Sequence, residues 1–205
     1  MFKQNLKRII PRFFIYFYRQ IVDTAKWLMR GRTVPTPQIV KQLMIRGIVQ
    51  KSHNHIFVET GTYLGDTVYF LRNLFKKIIS IELDHKLYEK ALKRFGSYDH
   101  IKILQGDSGE LIQKILNYIN EPCIFWLDGH YSGDITAKGA LSTPIFNELT
   151  AIFNHKRKDH IILVDDARCF DGTNDYPRIE YLIKFINEHN PLLKITIMND
   201  VIVII

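Results

Sequence analysis

The chain has 205 residues with 46% hydrophobic residues and 24% charged, the size of one domain with a substantial core. That composition excludes a disordered or low-complexity protein, and no internal repeat is visible. Eight of the 28 Lys/Arg and one of the 21 Asp/Glu fall in residues 1–32, so the other 173 residues carry 20 of each; the formal charge of +7 belongs to the leader and argues against a nucleic-acid surface across the main domain.

Two cysteines, Cys123 and Cys169, lie far apart without metal or redox spacing. They read as buried free thiols of a reducing compartment, which points to the cytoplasm.

The leader IIPRFFIYFYRQIVDTAKWLMRGR has an uninterrupted apolar run only from Phe13 to Tyr18, too short to cross a bilayer, and no small-residue cleavage site follows it. Phe14, Phe17, Ile21 and Leu28 recur at helical spacing, with Arg12, Arg19, Lys26 and Arg30 largely elsewhere on the helix. Such a basic amphipathic helix suits an anionic membrane surface, or packs its stripe on the domain or a second subunit. Thr33-Val34-Pro35-Thr36-Pro37 reads as a linker, dividing a leader (1–36) from a main domain (37–205). Thr36 is placed to cap a helix that begins at Pro37 and runs to about Gln50.

Strands and helices then alternate. Strands are expected at Ile56–Glu59, Ile78–Glu82, Ile101–Gln105, Cys123–Asp128 and His160–Asp165, and helices at Asp66–Leu74, Lys86–Phe95, Ser108–Asn117, Thr143–Asn154 and Pro177–Glu188. This is an α/β, doubly wound, mostly parallel sheet with helices on both faces. Leu193–Met198 and Val201–Ile205, joined by Asn199-Asp200, close it with an antiparallel hairpin, unlike a plain dinucleotide-binding fold.

In such sheets ligands bind beyond the carboxyl ends of the strands. The first strand runs into FVETGTYLGDT, where Gly61 and Gly65 allow a tight turn but the G-x-G-x-x-G spacing of a dinucleotide site is missing. Glu59 at the strand end repels a pyrophosphate and suits a cationic ligand. Glu82 ends the second strand, placed to accept from both hydroxyls of a ribose. Asp107 follows the third strand, placed either to accept from an exocyclic amine such as adenine's or to cap the helix beginning at Ser108.

This pattern of E-x-G-x-x-x-G, an acid after strand two, G-D after strand three and a closing hairpin resembles the class I S-adenosylmethionine (SAM)-dependent methyltransferases over about residues 37–205. The resemblance implies a seven-stranded sheet and SAM as methyl donor. It makes Glu59, Gly61 and Gly65 the methionine-side loop, Glu82 the ribose ligand, and Asp107 and Ser108 the neighbours of adenine. Tyr63 stands where many members have glycine, either facing the cofactor or only closing the turn. Asp128 completes the candidate cofactor contacts.

The fourth strand ends FWLDGHYSGD and the fifth ILVDDARCFDG. Asp128, Asp165 and Asp166 converging without bases would repel one another, and a hard divalent cation would relieve this. That resembles the metal-dependent O-methyltransferases of the catechol and macrocin types and implies Mg2+ on Asp128, Asp165 and Asp166. The alternative is that one Asp caps a helix and another pairs with Arg168 or Lys138. His130, two residues past Asp128, is the candidate general base. Tyr131 and the polar segment 132–139 read as a substrate loop or a plain surface connection. His53, His55, His85 and His100 show no ligand spacing, Trp126 reads as core, and no N/D-P-P-Y/F motif of base-methylating enzymes follows strand four.

The expected activity is methyl transfer to a hydroxyl of a sugar or other small polar acceptor, with a lipid-linked glycan in view if the leader meets a membrane. A non-catalytic scaffold of the same fold and a nucleotide-dependent oxidoreductase are the alternatives.

Overall fold

The computed structural model describes residues 12–129 and 143–205, with side chains from Tyr18 onward. Helix α1 (Arg12–Met29) and α2 (Gln38–Lys51) precede an alternating series: β1 (Ile56–Thr60), α3 (Asp66–Leu71), β2 (Lys77–Glu82), α4 (His85–Phe95), β3 (Ile101–Gln105), α5 (Ser108–Leu116) and β4 (Cys123–Leu127). There follow α6 (Ile145–Asn154), β5 (Ile161–Val164), a short 3-10 turn (Ala167–Cys169), α7 (Ile179–His189), β6 (Ile195–Met198) and β7 (Val201–Ile204).

The strands form one seven-stranded sheet in the order β3-β2-β1-β4-β5-β7-β6. All pairs from β3 to β5 are parallel, and β7 is antiparallel to both β5 and β6. The central strands IFVET and CIFWL are buried at every position, as strands covered on both faces must be. Edge strand β3 alternates instead, and the outermost, β6, is half open to water. Asn199 and Asp200 both have positive φ, which gives the hairpin a turn whose twist matches its strands.

Residues successive along each strand feed opposite cores. One core packs Phe57, Ile78 and Trp126 against Ile45 of α2, Leu71 of α3 and Phe95 of α4. The other packs Val58, Ile79 and Phe125 against Ile112 of α5, Leu149 of α6 and Ile186 of α7. Each such side chain contributes roughly 1.5–3 kcal/mol by leaving water, so the sheet is rigid where it presents its strand ends. Strand order reverses between β1 and β4, and the loops after these two strands diverge there.

Several boundaries differ from the sequence reading. Pro37 occupies the N-cap of α2 with no side-chain cap, so Thr36 does not cap it. Helix α7 begins at Ile179, after a turn at Asn174-Asp175 and a bridge between Asp171 and Arg178 that holds Arg178 extended. Cys123 is buried as expected, but Cys169 is only partly so.

Helix α1 meets α2 where the Ile39 N–H donates to the Gln20 side-chain oxygen at 3.2 Å. Ile21 and Leu28, members of the apolar stripe, are 53% and 50% exposed, as are neighbouring Tyr18 and Met29 at 68% and 79%. The stripe is therefore not laid on the domain at these positions. No described helix is long and apolar enough to cross a membrane.

Candidate functional site

The turn after β1 is built on glycine for a steric reason. Gly61 has φ +86, and a Cβ there would lie 3.0 Å from the Asp128 carbonyl carbon and closer still to its oxygen. Its N–H donates to the Ile81 carbonyl at 2.9 Å, which ties the turn to β2. Asp128 and Gly129 in turn donate their N–H groups to the Thr60 hydroxyl, each at 3.1 Å. The loops after β1 and β4 thus touch backbone to backbone, with no room for a side chain between them.

Tyr63 closes this turn through its backbone. It holds φ 50, and its N–H donates to Glu82 Oε2 at 2.7 Å while the residue stays 44% exposed. A non-glycine residue in the left-handed region costs on the order of 1 kcal/mol, offset here by a charge-assisted hydrogen bond. Glu82 Oε1 accepts from the Asp84 N–H at 2.9 Å, so both its oxygens are oriented. Burial holds its carboxyl above the usual range despite these bonds.

Glu59 lies deeper, 2% exposed. Ser80 donates to its Oε2 at 2.6 Å, and Thr62 and Ser80 hydroxyls are themselves 2.6 Å apart. Burial first, then the charges of Asp128 and Glu82, push the Glu59 carboxyl well up, with Ser80 opposing. Asp107 accepts from the Gly109 N–H at 2.8 Å and is the N-cap of α5, the simpler of the two roles read for it.

Glu148 was missed by the sequence reading. It projects from the first turn of α6, 1% exposed, beside the hydroxyls of Ser108 and Thr60. Among the described residues its Oε1 has no hydrogen-bond partner. Burial raises its carboxyl to about 7, the two hydroxyls working against this and the charges of Asp107 and Asp128 with it. Glu148 lines a small cleft with Leu127, Gly129, Thr143, Asp165 and Tyr176. Its signal was present: Ile145, Glu148, Leu149 and Ile152 fall at helical spacing, with an acid inside an otherwise apolar stripe.

Lys41 was missed too. It comes from the first part of α2, is 3% exposed, and its ammonium contacts Asp165 Oδ1 and lies 2.8 Å from Asp166 Oδ1. The two carboxylates hold the ammonium charged, above its ordinary value, against the burial that would discharge it. Arg168 Nη1 is 2.6 Å from the same Asp166 oxygen and also meets Asp200, the hairpin-turn residue. Asp200 takes the Arg168 N–H as well, at 2.9 Å.

The structure thus brings Glu59, Gly61, Tyr63, Gly65 and Glu82 together around one turn, and Asp128 within electrostatic reach of Glu59, Glu148 and Asp165. Ser108 opens α5 and faces the β4 loop, where a Cβ on Gly129 would be 3.0 Å from its hydroxyl. His130, Tyr131 and Lys138 lie outside the described residues. The residues fit a small cationic nucleoside ligand: a glycine cradle, buried acids whose ionised form a cation would favour, and an oriented carboxylate at the end of β2. They do not fit Mg2+ as arranged. Asp165 and Asp166 already face Lys41 and Arg168, and among the described residues no group of three or more His, Cys, Asp or Glu is placed to hold a metal ion.

Comparison with solved structures finds this architecture in methyltransferases. An O-methyltransferase of Bacillus cereus solved with S-adenosylhomocysteine (SAH) superposes with TM-score 0.59 at 15% identity, over 91% of this chain and 89% of that one. The chain has the class I methyltransferase fold. The SAH-bound methyltransferase PaMTH1 of Podospora anserina gives 0.57 at 15% identity, covering 90% of this chain and 86% of its own. The O-methyltransferase TomG of Streptomyces achromogenes, in complex with SAM, gives 0.57 at 11% identity over 90% and 87%. No protein-family model and no curated protein matches the chain.

Proposed function

We propose that this chain is a SAM-dependent methyltransferase acting on a hydroxyl of a small polar acceptor such as a sugar. The observation that carries the reading is the meeting of Glu59, Glu82 and Asp128 around the Gly61 turn at the point where strand order reverses. The B. cereus and S. achromogenes proteins, both O-methyltransferases, support oxygen as the acceptor atom. The even charge of residues 33–205 gives no support to a nucleic-acid acceptor.

SAM, when bound, supplies a methyl group on a positively charged sulfur. The chain's own residues do the rest. Glu82 accepts from the ribose hydroxyls, and Asp107 and Ser108 border adenine. Glu59 and Asp128 border the cationic end, whose positive charge favours the ionised form that burial of Glu59 disfavours, and the Gly61 turn permits close approach. The acceptor enters beside Glu148, whose carboxyl changes charge near pH 7 and is suited to take the hydroxyl proton, with His130 the second candidate for that transfer. No step is assigned to magnesium. The exposed stripe of α1, with the leader's positive charge, supports a peripheral contact with an anionic membrane, where a lipid-linked glycan is a fitting acceptor. A second copy of the chain is the other surface that would cover it.

Calorimetric titration of the full chain with SAH tests the reading, beside Glu82→Gln. Binding by the wild type, weakened roughly tenfold or more by the substitution, is expected for loss of a charged hydrogen-bond acceptor. Absence of SAH binding refutes it and favours a scaffold role.

A further inference from the structure

Five side chains that meet at the carboxyl end of β5 alternate in sign. Asp165 meets Lys41, Lys41 meets Asp166, Asp166 meets Arg168, and Arg168 meets Asp200. The chain of contacts joins α2 on one side of the sheet to the β6–β7 turn on the other side of β5. Its two cations come from the protein. Lysine is almost never buried to this depth without a partner, and here it has two.

We infer that Lys41 is the resident cation of this site, doing for Asp165 and Asp166 what a divalent metal ion would otherwise do. The oxygens a metal would need are those already turned to Lys41: Asp165 Oδ1, which also accepts from the Asp166 N–H at 2.7 Å, and Asp166 Oδ1, which Arg168 shares. An incoming divalent ion would have to displace the ammonium or sit against it and the guanidinium, and both courses are electrostatically unfavourable. Asp128, the third expected ligand, bears on Asp165 through its charge, so Lys41 also tempers the repulsion between these two acids.

The inference deepens the methyltransferase reading and rests on it for the use of the site. A metal ion can chelate two acceptor oxygens at once. An ammonium and carboxylates hold an acceptor by single hydrogen bonds, so one isolated hydroxyl is enough, and a vicinal pair is not required.

The test uses full-length protein stripped of metal with EDTA. Mn2+ uptake is followed by electron paramagnetic resonance, and SAH binding by calorimetry with and without MgCl2. The wild type is expected to show no saturable Mn2+ uptake into the millimolar range, and SAH binding indifferent to Mg2+. Lys41→Met, which keeps an unbranched apolar stem one atom shorter and removes the charge, is expected to take up Mn2+ at least roughly tenfold more tightly and to melt higher when the ion is added. Saturable Mn2+ uptake by the wild type that Asp165→Asn abolishes overturns the inference, as does a folded Lys41→Met with no gain in Mn2+ affinity. If Lys41→Met does not fold, the wild-type and Asp165→Asn titrations decide alone. Failure of SAH binding with no Mn2+ uptake removes the methyltransferase reading and leaves the charge assignment standing; SAH binding together with Asp165-dependent Mn2+ uptake does the reverse.

Discussion

Replacing Glu148 by glutamine isolates the energetic consequence of burying an acid in the cleft between Thr143 and Tyr176. The carboxyl, 1% exposed, is raised from an ordinary 4.5 to about 7. Between those values the folded chain keeps a proton that the unfolded chain has released, so stability falls as pH rises through this window and the loss is complete above it. A shift of this size corresponds to on the order of 3 kcal/mol, from about 1.4 kcal/mol per pH unit. That is a large fraction of the roughly 5–15 kcal/mol by which domains are stable. Glutamine keeps nearly the same volume and has no proton to lose. Urea unfolding of both proteins, followed by tryptophan fluorescence at pH 5, 6.5 and 8, should show Glu148→Gln gaining on the wild type by about 2–3 kcal/mol as pH rises. Parallel stability profiles across that range would show that Glu148 is solvated or ionised in the fold, and the argument for it as proton acceptor would go with them.

Gly61→Ala should lower stability by about 2–4 kcal/mol and remove SAH binding, because the new Cβ overlaps the Asp128 carbonyl at a positive φ; thermal melting and calorimetry check this, and a variant as stable as wild type would refute the packing described. His160, buried beside His155 and accepting the Cys123 N–H at 3.1 Å, is lowered to about 4 by burial and then by His155. It is neutral in the fold, so its contribution is complete above about pH 6.5 and is lost as pH falls towards 4. His160→Gln should therefore flatten the acid side of the stability curve, and an unchanged acid slope would count against this. Deleting residues 1–32 should abolish co-flotation with anionic vesicles while leaving SAH binding intact; undiminished flotation sinks the membrane contact.

The fold was legible because its signals are local. Alternating apolar strands and amphipathic helices, two glycines after β1 and an Asn-Asp turn before β7 each declare themselves within a few residues. The acids at the strand ends were legible for a related reason: in a parallel sheet every carboxyl end faces the same rim, so position along the chain predicts position in the site. Tyr63 shows where this stops. Its identity left two roles open, and the structure shows its backbone N–H on Glu82, the turn-closing contact, with the residue partly open to water.

What the sequence by itself determined was therefore the order of elements, the gathering of acids at the carboxyl rim of the sheet and the charge of the leader. Tertiary structure alone decided how the acids are compensated. Lys41 stands 124 positions from Asp165 in the chain, and its short helix carries no pattern that marks one lysine as buried. Asp200 looked like a turn residue and proved to be an anchor for Arg168. Charge pairing depends on which side chains meet in three dimensions, and Coulomb energy in a buried site changes steeply with separation and solvation. Composition and spacing carry neither quantity, so nothing in the chain showed that two of the three strand-end carboxylates, Asp165 and Asp166, meet Lys41, and Asp166 also Arg168, in the folded protein.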